Sequence, residues 1–352
     1  MSSQHNGLFA VNVLFILCLL AATQSVASQH PSAAKPAMPQ GSSLLSLGSE
    51  LFYSRSLGHA NNNDPVIILL SGPNHNFYAD SAWFALLQPW LASRYQVVTI
   101  DRQGNGFSTD TKEPSYRRFS DDLAQLLPKL TKKPVILVSF ASASISTVLF
   151  YQKYQHQFQI KGMLWLDPDV PTPAALALYR AYPVDWYQAN LPMLLPKLAE
   201  GFWNNRTADK LKAEREQVQQ LVAPYTTMMD WSYFDQISTL RLTPKRQQQR
   251  ALEIASYSDD LTAYANANFR FDIPVSIIDS DFESQQQSNN SELAARQQQW
   301  QQQGSKWSAQ ISYNSGGQYI HLPQADHLLM LQQPEKIAAA IDWLATRAKS
   351  QP

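Results

Sequence analysis

The 352-residue chain carries 28 Lys and Arg against 28 Asp and Glu, so its formal charge is zero, and 44% of it is hydrophobic. That balance excludes the basic footprint of a nucleic-acid binder and offers no pull toward an anionic membrane surface. The apolar content is enough for a large core, in one big domain with an insertion or in two smaller domains.

The N-terminus reads as a targeting segment. Leu8 to Ala22 is an apolar run broken only by Asn12, and Ser25-Val26-Ala27 has the small-x-small form of a signal-peptidase site. The run is shorter than the roughly 20 residues a membrane span needs, which favours a signal peptide over residues 1–27 and an exported, periplasmic or secreted protein with no stable membrane span. The competing reading is an uncleaved anchor, since Met1 to Gly7 holds no Lys or Arg. Cys18 is the only cysteine and follows Leu17, which does not suit a lipid-acceptor site. Without it the mature chain has no thiol, hence no disulfide, Cys nucleophile or Cys-bound metal. Residues 28–43, rich in Ser, Pro and Ala, are expected to be a flexible lead-in.

Farther along, short apolar runs alternate with helical patterns, as in a mostly parallel α/β sheet covered by helices on both faces. Strands are expected at Pro65–Leu70, Gln96–Ile100, Val135–Val138, Met163–Leu166, Val275–Ile278 and Gln318–Leu322. Leu123, Leu126, Leu127 and Leu130 mark a helix that Ser120 or Asp121 could cap and Pro128 should end or kink. Pro334 opens a last helix with Ile337, Ile341 and Leu344 on its inner face. Residues 171–270 differ: strand patterns vanish, and helices such as Ala208–Val222 and one starting at Thr243-Pro244 carry clustered aromatics (Trp186, Tyr187, Trp203, Trp231, Tyr233, Phe234). A helical cap over a core of 44–170 and 271–352 is the expected organisation, with most of those aromatics simply packing it down. The Gln-rich tract from Gln285 to Gln303 reads as a partly helical, solvated stretch without function.

Four segments, in order, resemble the α/β-hydrolase family over nearly all of the mature chain. Ser71-Gly72-Pro73 follows a buried strand where the family has His-Gly, next to a backbone N–H that helps hold an oxyanion. Asp101-Arg-Gln-Gly-Asn-Gly-Phe-Ser108 is very similar to the family's Asp-x-x-Gly-x-Gly-x-Ser turn, with Asp101 expected on loop amides. Ser139-Phe140-Ala141-Ser142-Ala143 stands at the nucleophile elbow. A gapless register puts Ala141 at the nucleophile and makes Ser142 the first helical residue and an oxyanion donor. A shift by one makes Ser142 the nucleophile but sets Phe140 where only a small residue fits. After the Val275 strand, Glu283 falls at the acid position with Asp281 as runner-up. Leu322-Pro-Gln-Ala-Asp-His327 resembles the stretch that ends in the catalytic histidine, whereas His75, His156 and His321 lack such a context.

Two functions follow from the resemblance. One is a serine hydrolase of small esters, amides or acyl compounds, with Ser142 as nucleophile, Glu283 as orienter, His327 as base, and N–H groups near Gly72 and Ser142 as the oxyanion hole. The other is a non-catalytic member that binds a small, apolar or aromatic ligand under its cap, which Ala141 and the lost elbow glycines favour. No cofactor or metal is expected: no Gly-x-Gly-x-x-Gly opens a helix, and no histidine pair shares a face with carboxylates.

Overall fold

In a computed structural model, which describes residues 38–59, 64–280, 282 and 291–350, the apolar runs form the middle of an eight-stranded sheet of order β1-β2-β4-β3-β5-β6-β7-β8. The strands are β1 (Ser42–Leu47), β2 (Glu50–Leu57), β3 (Val66–Leu70), β4 (Val97–Ile100), β5 (Val135–Phe140), β6 (Ile160–Leu166), β7 (Val275–Asp279) and β8 (Tyr319–His321). β1 and β2 pair antiparallel with each other, and β2 runs antiparallel to β4. The strands from β4 to β8 are parallel. The members β3, β4, β5 and β7 are buried throughout, as strands covered on both faces must be. The β1–β2 hairpin escapes sequence reading because Ser42–Leu47 is half exposed and shows no strict alternation. The strand also takes up Ser42 and Ser43 from the expected lead-in; the expected signal peptide, residues 1–27, lies outside the described residues.

Helices cover both faces: α1 (Leu87–Ala92), α2 (Tyr116–Leu130), α3 (Ala143–Tyr154), α4 (Pro173–Arg180), α5 (Val184–Ala199), α6 (Asn204–Leu221), α7 (Trp231–Leu240), α8 (Pro244–Ala265), α9 (Ser291–Ser315), α10 (Leu329–Gln332) and α11 (Pro334–Ser350). Helix α2 starts earlier than its leucines suggest. Ser115, rather than Ser120 or Asp121, accepts the first-turn N–H of Arg118 at 3.1 Å. Pro128 sits in the last turn without ending the helix, and Thr131 still donates to the Leu127 carbonyl. Asp260 of α8 lies on the same N-terminus, accepting from the Tyr116 and Arg117 amides at 2.9 and 3.0 Å, where the helix dipole favours a negative charge. Among the described residues no helix is long and apolar enough to cross a membrane.

Helices α4 to α8 lie between β6 and β7 in the chain and form the cap. One buried guanidinium fastens part of it to the core. Arg241, just past α7, donates from Nε and Nη2 to the two oxygens of Asp80, both at 2.8 Å, and from Nη1 to Glu214 of α6. Its plane lies over Tyr78 and Trp83 at 4.6 and 4.5 Å. The other oxygen of Glu214 accepts from Asn74 at 2.7 Å. Thus α6, α7 and the chain after β3 meet on one fully desolvated cation.

The Asp101–Ser108 turn joins this assembly through Asp101, whose carboxylate accepts from the N–H and the hydroxyl of Ser81, at 2.7 and 2.9 Å. Its oxygen comes so close to Gly106 that a Cβ there would stand 1.8 Å away, and Gly106 has φ +50. Burial, and then the nearby Asp80, push the Asp101 carboxyl up from the ordinary 3.8 to about 7.

Two outcomes test this account. Arg241→Met strands two buried carboxylates and is expected to cost on the order of 3–5 kcal/mol, read as a fall in the urea midpoint with an unchanged slope. Asp101, with its folded pKa raised above the unfolded one, stabilises the fold only while it keeps its proton. Its contribution is present below about pH 4 and is lost as pH rises toward about 7. Unfolding free energies measured across that window should flatten in Asp101→Asn.

Candidate active site and ligand pocket

The sheet order reverses between β3 and β5, since β4 lies on one side of β3 and β5 on the other. Crevices in parallel sheets open at such a point, past the carboxyl ends of the strands. Here the two strand ends are pressed together. A Cβ on Gly72 would come within 2.2 Å of the Phe140 carbonyl oxygen, 2.7 Å of the Ser142 nitrogen and 2.9 Å of the Ala143 nitrogen. Only glycine permits that approach.

Between β5 and α3 the chain reverses in one residue, and that residue is Ala141. It has φ +48, is 4% exposed, and donates its N–H to the Leu166 carbonyl at 2.9 Å. Ser142 already has helical backbone (φ −62, ψ −10) at the start of α3. The gapless register is therefore the observed one, and the apex of the elbow carries a methyl group.

Ser142 lies one position along, and its hydroxyl is engaged elsewhere. Ser142 Oγ and Tyr257 Oη are 2.9 Å apart, and Tyr257 gives its own proton to Asp169 in a short bond. The serine hydroxyl thus belongs to a cluster with Tyr257 and Asp169. Burial holds the Tyr257 phenol well above its usual range, so it is no base for the Ser142 proton.

His327 stands on the other side of Ala141. Its ring packs on Phe140 at 4.7 Å and under Phe282 at 4.0 Å between centroids. Nδ1 is 3.0 Å from Asp167 Oδ2, which leaves Nε2 for the pocket. Asp167 directly follows β6, at φ +43, and takes the N–H and the hydroxyl of Ser280 at 2.7 and 2.6 Å. Burial raises its carboxyl, and the bond to His327 counters that most. A carboxylate at the end of β6 thus orients His327; Glu283 and Asp281, where the resemblance put the acid, lie outside the described residues. The sequence held the signal in Asp167-Pro168-Asp169, two carboxylates directly after an apolar strand.

Gly72 takes the expected place beside the elbow. The residue after it, Pro73, lines the pocket but has no N–H. The amide of Asn74 is spent on the Tyr78 carbonyl at 3.1 Å. Neither position offers a donor to an oxyanion, whereas the N–H groups that open α3 lie next to Gly72.

Above these residues lies a cavity of about 490 Å³, within the size range of small-molecule sites. Its floor holds Ala141, Ser142, Asp169, Tyr257 and His327; the α4–α5 corner, α8, Phe282 and α9 close it. His75, which sequence context set aside, is in the wall as well. Burial lowers its pKa, which favours a neutral imidazole there. The Gln-rich helix α9 contributes Leu293, Gln297 and Trp300. Among the described residues, no cluster of three or more His, Cys, Asp or Glu is placed to hold a metal ion.

The model of the alpha/beta hydrolase family matches residues 67–340. No curated protein sequence matches the chain. Solved structures of the same fold include an alpha/beta hydrolase fold protein from Burkholderia ambifaria (18% identity, 87% of this chain and 98% of that one, TM-score 0.54). An esterase from Thermogutta terrifontis aligns at 17% identity over 85% and 94%, with TM-score 0.52. A bromoperoxidase from Bacillus anthracis aligns at 17% over 87% and 99%, with TM-score 0.51.

The closeness of Gly72 to the elbow makes a direct test. Gly72→Ala must push the β3 and β5 ends apart, and we expect a loss of at least about 2–3 kcal/mol, as for other overpacked sites. A thermal melt within 1–2 °C (roughly) of the parent would contradict the geometry.

Proposed function

Because the chain belongs to the alpha/beta hydrolase family, we propose that it is a ligand-binding member that has given up the covalent step. The observation that carries this is Ala141 at the apex, with φ +48. Acyl transfer needs a hydroxyl or thiol at that point, deprotonated by the imidazole beside it. A methyl group offers nothing to deprotonate. The retained cavity, with an apolar wall and a few polar groups on its floor, suits a small, largely apolar molecule.

The serine-hydrolase alternative would need Ser142 to leave Tyr257 and reach His327 from the first position of a helix. It would also need an oxyanion site without the amide that Pro73 lacks. A second reading has its own support in the intact His327–Asp167 pair. Its Nε2 is left for a proton from a bound molecule or from water, with no covalent intermediate. The apolar run Leu8–Ala22 supports export, so the ligand would be met outside the cytoplasm.

A fluorophosphonate probe separates these readings. The protein should stay unlabelled, and Ala141→Ser should become labelled only while His327 is present. With half of the oxyanion site gone, that variant should turn over nitrophenyl esters at least about 100-fold more slowly than a complete site would, the usual effect of one lost donor. Stoichiometric labelling of the unaltered protein, lost in Ser142→Ala, would restore the hydrolase reading.

A further inference from the structure

The pocket floor holds a carboxylate that the dyad does not use. Asp169 lies two residues past Asp167, is 9% exposed and lines the cavity. Its side-chain partners are hydroxyls: Tyr257 donates to it, and Ser142 is within hydrogen-bonding reach. The other carboxylate of the lining, Glu253, is differently placed. Arg102 donates to one of its oxygens at 2.6 Å and Asn105 to the other at 3.0 Å. Among the described residues, no Lys or Arg lines the cavity. His327, the other ionisable ring near Asp169, is committed through Nδ1 to Asp167 at 3.0 Å.

A carboxylate taken out of water without a cation is costly, and burial accordingly lifts the Asp169 carboxyl above its ordinary range. Such a group is stabilised by whatever positive charge enters beside it. The rest of the lining would favour the same guest. Tyr179, Tyr257 and Trp300 are in the wall, and aromatic faces attract ammonium groups, most strongly where water is excluded. An anionic guest would instead meet Asp169 with no basic side chain to offset it.

We propose that the cavity takes a small molecule bearing a cationic nitrogen, a protonated or quaternary amine on a short apolar body, with Asp169 as its counter-ion. This rests on the reading of the cavity as a ligand site and adds the charge of the ligand. Occupant and counter-ion meet at the foot of the cavity, beside Ser142 and Tyr257.

Three probes of similar size test it by calorimetric titration of the full-length protein: phenyltrimethylammonium, its neutral carbon isostere tert-butylbenzene, and the anion phenylacetate. The cation should bind at least tenfold more tightly than the isostere, with the anion weakest. Asp169→Asn, checked for folding by circular dichroism, should erase that margin and leave the isostere within twofold. Equal or tighter binding of the isostere to the unaltered protein overturns the charge assignment and leaves the ligand-site reading intact. Tighter binding of the anion does the same, as does a cation preference that survives in Asp169→Asn. If none of the three binds, the ligand-site reading falls with it.

Discussion

The contact of Gly72 with the elbow governs the rest of the site. Two adjacent parallel strands end side by side, paired from Val66 with Val135 to Leu70 with Ser139, and the chain after β5 has no room to drift outward. It must turn back within one residue, which drives Ala141 into the left-handed region at a cost of roughly 1–2 kcal/mol for a residue with a Cβ. That turn aims α3, sets its opening amides beside Gly72, and leaves Phe140 as the seat for the His327 ring. The strain is held by packing on both sides, since the apex residue and its neighbours are almost fully buried.

Two polar chains run from this point and stay apart. One is Ser280 to Asp167 to His327, built on the ends of β6 and β7 and on the loop after β8. The other is Ser142 to Tyr257 to Asp169, which joins α3 to the cap helix α8 and back to the loop after β6. In a working serine hydrolase the nucleophile would link imidazole and oxyanion donors. Here the hydroxyl next to the apex, that of Ser142, belongs to the second chain. Helix α8 therefore has a double part: Glu253 and Asp260 fasten it to the core through Arg102 and the start of α2, while Tyr257 shapes the pocket floor.

Much of this architecture was legible in the sequence because its determinants are local. Continuous apolar runs betrayed the parallel strands, the loss of strand pattern after Pro171 marked the cap, and Thr243-Pro244 announced the start of α8. The elbow register could be posed as a choice between two residues but not decided, because the decision lies in how closely Gly72 approaches, a contact between segments about 70 residues apart. Asp167 was missed for a related reason. A carboxylate past β6 and one past β7 are equivalent in sequence terms, and only the sheet's registration brings the first of them to His327. The β1–β2 hairpin and the role of α9 in the pocket wall escaped because polar composition hides a structural duty when only a few side chains, such as Trp300, turn inward.

Pro73 has a consequence for how reversible this design is. A protein that lacks only its nucleophile stands one substitution from hydrolysis. This one lacks two things at separate places in the chain, an oxygen at 141 and an amide hydrogen at 73. Replacing the alanine alone gives a nucleophile whose tetrahedral adduct is poorly held; replacing the proline alone adds a donor with no adduct to receive it. If the chain is the ligand-binding member proposed above, the two absences reinforce each other, because neither substitution alone rebuilds the whole hydrolase arrangement.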